Sequence, residues 1–364
     1  MLSEYAYHIL SDKDIKTAGA ELQMVLLAKE LAKKSFDVSF ITFVKTTDEP
    51  ENIHNIKVYN PFDNKYKGIT YLNPKNMFRL LKTLKKIDAD VYIQRSTTPL
   101  TGIISFYAKL TNKKFIYSSS SERDVSDFLK IKSLNDIKKL FFKFGVKNSD
   151  YVLCQTKNQK KLLKRSIGKQ GKVIKNFYPL LDHENGKKNI SKLKIIWAGR
   201  ITRIKRPELF LKLAKKIPEV DFWMMGGPTS DIDFYNYIKK EAEKINNLTF
   251  LGPIPYKKIN NYYDKSSIFI NTSNSEGFPN TFLEAWGHNI PVISIGFDPD
   301  EIICKNNLGF HSKDFNQLVK DTKKLIENQK LRIEMGKNGR KYVEKEHDID
   351  KLIKKYINIF KVLT

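Results

Sequence analysis

Cysteine is almost missing from this chain of 364 residues: Cys154 and Cys304 are the only two. Two cannot staple a disulfide scaffold, and although the pair is able to bridge, both lie in apolar stretches that suit reduced, buried thiols. No Cys/His cluster has metal-site spacing, so no metal is expected. No run of about 18 apolar residues occurs, so no helix is expected to span a membrane. The opening MLSEYAYHILSD lacks the basic and then apolar segments of a signal peptide. Acid is also in short supply, with 40 Asp and Glu against 65 Lys and Arg, a net charge of +25. Residues 1–180 hold 33 basic and 17 acidic side chains, net +16, which leaves +9 for the rest. Such a half suits anionic lipid headgroups, a phosphorylated acceptor or nucleic acid. No helix-turn-helix, zinc-finger or RNA-binding aromatic signature accompanies the charge, so nucleic acid is not expected.

The length suits two α/β domains of roughly 150–200 residues. After Ala18-Gly19-Ala20-Glu21, a helix through LQMVLLAKELAKK leads to the strand DVSFITF. Strand and helix then alternate, with strands at IKVYN, ADVYIQR (ending on Arg95), KFIYSSS and DYVLCQT. The helix LNDIKKLFFKFGVKN, with Phe141, Phe142 and Phe144, suits packing on a sheet or lying on a membrane surface. Leu180 to Ser191 loses periodicity and reads as a linker between domains at 1–180 and 181–345. The second domain repeats the alternation, with a turn that favours close approach at Gly226-Gly227. Without hairpin signals, the pattern predicts two doubly wound parallel sheets.

The most informative stretch is SNSEGFPNTFLEAWGHNIP, residues 273–291. Buried strands flank it, IFINT before and PVISI after. Ser275 can cap, Gly277 can turn and Pro279 suits the first helical position. Glu276 then lies over a helix N-terminus and Glu284 inside the helix. A helix N-terminus at the carboxyl edge of a parallel sheet is a natural seat for an anionic ligand. Upstream, KLKIIWAGR ends on Gly199-Arg200, with Lys205 five residues later and Pro207 opening a helix. Arg200 and Lys205 sit where a diphosphate needs cations.

SEGFPNTFLEAW, with PVI and DPDEII after it, closely resembles the donor-sugar motif of the family-4 retaining glycosyltransferases. Glu276 and Glu284 fall on that family's paired glutamates, and Arg200 with Lys205 on its phosphate-binding pair. The resemblance implies the GT-B fold, two Rossmann-like domains facing a cleft, with residues 346–364 a helix crossing back to the first domain. It implies transfer of a sugar from a nucleotide-diphosphate sugar, UDP- or GDP-linked, to an acceptor hydroxyl, with retention and without a metal or other cofactor. Glu276, Arg200 and Lys205 are the implied catalytic residues, with Glu284 on the ribose hydroxyls. Gly19, Gly199, Gly226, Gly252, Ile254, Gly277, Phe278, Pro279, Asn280 and Thr281 complete the implied donor site. A glycan or lipid-linked acceptor in cell-surface polysaccharide or glycolipid biosynthesis is expected, in the cytoplasm, with an anionic membrane face as a further partner.

Two departures from the family pattern stand out. Only Met1 to Glu4 precede YAYHILSD, so most of the first strand of the N-terminal sheet is expected to be missing. The family's histidine after the strand KFIYSSSS is replaced by Ser118 to Ser121 and Glu122-Arg123-Asp124. Other readings therefore stay open: a family member inactivated by the short N-terminus, a nucleotide-sugar epimerase of the same architecture, or a basic non-catalytic protein binding anionic membrane or nucleic acid.

Overall fold

The computed structural model describes residues 1–3, 6–11, 19–43, 49–62, 73–126, 136–180 and 193–363. The expected linker falls almost wholly outside them. The chain forms two compact units, Met1–Phe177 with Ile349–Thr364, and Tyr178–Asp348.

In the first unit, helices α1 (Ala6–Leu10) and α2 (Gly19–Lys33) are followed by strands β1 (Val38–Ile41), β2 (Glu51–Ile53) and β3 (Ile56–Tyr59). Helix α3 (Pro74–Ile87), β4 (Val91–Arg95), α4 (Leu100–Leu110), β5 (Lys114–Ser118) and α5 (Asp136–Asn148) come next, then β6 (Tyr151–Cys154), α6 (Lys157–Ile167) and β7 (Lys172–Val173). One sheet has the order β1-β3-β2 and another β4-β5-β6-β7. Leu2 joins them, with parallel bridges to Ile41 and Gln94. Its N–H donates to Ile93 O at 3.1 Å, and Ile41 N donates to Met1 O at 2.8 Å. Met1–Ser3 thus hold the place of the central strand with a single rung. The tight turn at His54-Asn55, both at positive φ, pairs β2 antiparallel to β3. This hairpin corrects the expectation of a purely parallel sheet: two consecutive left-handed residues fit the twist of a two-residue hairpin.

Alternation along the strands shows why both faces are covered. Tyr92, Phe115, Tyr117 and Val152 enter one core with α3, α4 and α5. Ile93, Ile116 and Leu153 enter the other, with α2 and the C-terminal helix Ile349–Leu363. Helix α5 divides its phenylalanines: Phe142 is buried, whereas Phe141 and Phe144 are exposed.

The second unit contains β8 (Lys194–Ala198), α7 (Pro207–Lys216), β9 (Asp221–Met225), α8 (Ile232–Glu243), β10 (Leu248–Gly252), α9 (Tyr256–Asp264) and β11 (Ile268–Asn271). Helix α10 (Asn280–Gly287), β12 (Val292–Ser294), α11 (Ile302–Lys305), β13 (Gly309–His311), α12 (Phe315–Glu327) and α13 (Gln329–Glu346) follow, and the C-terminal helix of the first unit is α14. The six strands run in the order β10-β9-β8-β11-β12-β13, with all pairs parallel. Ile195 and Trp197 face one core while Ile196 and Ala198 face the other. This is doubly wound topology, and its strand order reverses between β8 and β11, where such sheets bind ligands.

The two cysteines differ. Cys154 is buried as expected, but Cys304 is exposed, because the short α11 turns Ile303 rather than its neighbour into the core.

Candidate active site

Two loops leave the carboxyl edge of the sheet at that reversal, one after β8 and one after β11. Thr272 locks them together. Its hydroxyl donates to Lys205 O at 2.6 Å and accepts from Trp197 Nε1 at 2.8 Å. Its carbonyl accepts from Arg206 Nε at 2.8 Å, and Asn274 N donates to Ile204 O at 3.0 Å. This register carries the Lys205 ammonium onto the Glu276 carboxylate, where they form an ion pair. Both side chains are largely shielded, at 22% and 15% exposure, so their attraction is stronger than that of a surface pair. The Lys205 stem passes 3.8 Å from where a Gly199 Cβ would stand. Arg200 is exposed and forms no ion pair among the described residues.

The glycines of three adjacent strand ends meet beside this pair. Gly199 N donates to Met225 O at 3.0 Å, and Gly226 N to Gly252 O at 2.8 Å. A Cβ on Gly226 would run into the Gly199 carbonyl oxygen, and Gly252 adopts φ +68°. Neither position accepts a larger residue without strain. Ile254 follows, half-buried.

Helix α10 supplies the second acid. Phe282, Leu283, Ala285 and Trp286 anchor it in the core. Glu284 lies among them, buried, with Oε2 accepting from Tyr263 Oη at 2.9 Å. Burial pushes its carboxyl from 4.5 up to about 7, and the Tyr263 hydrogen bond acts in the opposite direction. The Tyr263 ring stacks on His288 with centroids 5.4 Å apart. His288 Nδ1 lies 2.7 Å from the Glu284 carbonyl oxygen, and its Nε2 lies 3.7 Å from Asp264 Oδ1. Main chain and side chain of Glu284 are thus both held.

Gly277, Phe278 and Pro279 are buried, and Asn280 and Thr281 are half-buried. The Phe278 ring packs on His347, 4.9 Å between centroids, which leaves its backbone rather than its side chain for a ligand. Pro279 is the N-cap and Asn280 the first helical residue, one position later than the sequence predicts. Gly19 is exposed at the start of α2 in the first unit. In that unit Asp124 organises the serine loop after β5, accepting from Ser120 N at 2.6 Å, Ser121 N at 3.0 Å and Thr97 Oγ1 at 2.7 Å. Arg95 is buried, with Nη2 donating to Asn176 Oδ1 at 2.9 Å.

Sequence reasoning passed over Trp197, Arg206, Tyr263 and Thr272. Arg206 adjoins Lys205, and its left-handed φ of 45° ahead of Pro207 has no residue signature. Tyr263 lies 21 positions before Glu284, beyond any helical or strand period.

Two family models match the chain: glycosyl transferases group 1 over residues 181–342 and glycosyl transferase 4-like over residues 17–156. The O-antigen biosynthesis glycosyltransferase WbnH of Escherichia coli is 28% identical over 61% of this chain and 63% of its own length. The chain therefore spans under two thirds of that relative. An uncharacterized glycosyltransferase of Methanocaldococcus jannaschii is 25% identical over 88% of this chain and 90% of its own length. Among solved structures, sucrose-phosphate synthase from Thermosynechococcus elongatus matches with TM-score 0.81 and 18% identity, covering 100% of this chain and 98% of that one. HepE of Anabaena, in complex with UDP-glucose, matches with TM-score 0.77 and 14% identity, covering 99% and 98%.

Proposed function

We propose that this chain, which has the GT-B fold and matches glycosyl transferases group 1 over residues 181–342, moves a sugar from a nucleoside diphosphate sugar to an acceptor hydroxyl with retention of configuration. The observation that carries this reading is the Lys205–Glu276 pair at the strand-order reversal, with Glu284 buried on the helix that follows.

Each group then has a task. Arg200 and Lys205 meet the diphosphate, whose negative charge grows as the bond from C1 to the phosphate oxygen breaks. When the donor binds, Lys205 turns from Glu276 to the phosphate. The freed carboxylate faces the sugar and stabilises positive charge at C1. The backbone from Gly277 to Thr281, at the N-terminal end of α10, adds positive dipole near the phosphates or the sugar. Glu284 accepts from the ribose hydroxyls. The acceptor oxygen bonds to C1 on the face the leaving group vacates, and its proton passes to the departing phosphate oxygen. These cations and dipoles carry the charge in this reading without a divalent metal.

The O-antigen relative supports a glycan or lipid-linked glycan as acceptor, in cell-surface polysaccharide biosynthesis, and the UDP-glucose complex of HepE supports a uridine donor. In this reading the chain works in the cytoplasm, at the pool of nucleotide sugar. Thermal shifts with UDP, GDP, ADP and their sugars on the wild type and Glu284→Ala test it. One nucleotide should stabilise the wild type alone. A cooperative melt that no nucleotide moves would remove the donor site from the proposal. Turnover in EDTA and the anomeric coupling of the product test metal independence and retention.

A further inference from the structure

Helix α5 is apolar on two opposite sides. Its inner side buries Phe142 and Val146 in the first unit's core. Its outer side shows Ile137, Leu140, Phe141 and Phe144, at 61%, 67%, 39% and 41% exposure. Those positions are i, i+3, i+4 and i+7, one continuous stripe. At about 100° per residue its centre lies roughly 170° from the buried side. Four large apolar side chains aligned on one exposed face are not the scattered single residues of an ordinary surface.

Charge borders the stripe. Lys143 and Lys147 are exposed and lie one turn apart along one flank. Asp136 is the one acidic residue of the helix, and it is paired with Lys139. The neighbouring α4 extends the same character. Small residues let the two helices touch backbone to backbone, Gly102 against Phe141 and Gly145 against Thr101. One turn beyond Gly102, Phe106 is exposed, and so are Lys109 and Leu110.

We propose that the outer face of α5 is a docking surface for an anionic lipid bilayer. The helix, about 20 Å long, lies in the plane of the interface with its stripe among the acyl chains and its lysines at the headgroups. A second copy of this chain fits less well. Two copies with net charge +25 repel, whereas an anionic leaflet attracts. Nucleic acid would satisfy the lysines and leave the stripe in water. The inference does not depend on the transferase reading.

Vesicle flotation of the full chain tests it, with phosphatidylcholine alone and with phosphatidylglycerol added. The wild type should float with the anionic vesicles and lose binding as salt rises. Leu140→Ser/Phe144→Ser should reduce partition by about 30-fold or more, and Lys143→Glu/Lys147→Glu by about 10-fold or more. Both should keep the wild-type melting temperature, since the altered side chains are exposed. As a check free of disruptive changes, Phe144→Trp should show a blue-shifted emission, quenched by brominated lipid, only with anionic vesicles. Absence of wild-type flotation, equal binding to neutral vesicles, or an apolar double variant that floats like the wild type would each overturn the proposal. So would a wild-type dimer that the apolar variant converts to a monomer, which would assign the face to a second copy.

Discussion

Replacing Glu284 by glutamine keeps the shape of a buried side chain and removes its ability to ionise. Burial raises the wild-type carboxyl from 4.5 to about 7. Between those values the unfolded chain has released this proton and the folded chain still holds it. The folded state therefore binds more protons across that window, and stability falls as pH rises through it. At about 1.4 kcal/mol per pH unit, the fall from pH 5 to pH 8 is on the order of 2–3 kcal/mol. Glutamine lacks this titration. The wild-type melting temperature of the second unit should drop between pH 5 and pH 8 by roughly 4–12 °C more than that of Glu284→Gln, at about 2–4 °C per kcal/mol. The variant is thus the more stable protein at pH 8 without ligand. With UDP the gap closes: a nucleotide at about 100 times its dissociation constant adds about 2.7 kcal/mol to the wild type, which offsets that difference, and should leave the variant unmoved. Scanning calorimetry at the two pH values, with and without UDP, reads both effects. Equal pH dependence in the two proteins would refute the assignment of the raised carboxyl to Glu284. UDP stabilisation that survives in the variant would refute its place at the nucleotide.

Other changes read the surroundings of the site. Tyr263→Phe removes a hydrogen bond to the charged carboxylate worth about 1.5–3 kcal/mol, which should move the Glu284 titration up by roughly 1–2 pH units. UDP affinity should then weaken about 10-fold at pH 7 and recover at pH 9; calorimetric titration showing an unchanged profile would count against the contact. Gly226→Ala drives a Cβ into the Gly199 carbonyl oxygen and should lower stability by about 1–3 kcal/mol, read as a smaller urea midpoint. Lys205→Met should reduce kcat by about 100-fold or more while the circular dichroism spectrum stays wild-type. Trp197→Phe removes the indole bond to Thr272, with an expected loss of about 1–2 kcal/mol and a raised donor KM as the two loops lose register.

What the sequence made legible and what it hid have different physical origins. Glu276, Glu284, Gly277 and Pro279 lie within nine positions, so local geometry alone puts them on one loop and the first turns of one helix. The strands of the second unit were equally plain, because buried parallel strands read as short apolar runs bounded by turns. The hairpin at His54-Asn55 escaped because the usual glycine is absent, and Asn with His adopts the left-handed conformation without that mark. Cys304 misled because an apolar neighbourhood in sequence does not fix which side of a four-residue helix faces inward. Most of what the sequence hid is long-range. The hydroxyl of Thr272 joins Trp197, 75 positions away, to the Lys205 carbonyl, 67 positions away, and no periodicity carries that relation. Yet these bonds decide whether a lysine from one loop meets a glutamate from the other. The residue types that do the proposed chemistry can be read along the chain; the register that brings them together belongs to the packed sheet. Changes at Thr272 or Trp197, neither of which carries charge, should therefore perturb the donor site more than changes at the exposed Arg203, which stands closer to Lys205 in sequence but pairs with Asp231.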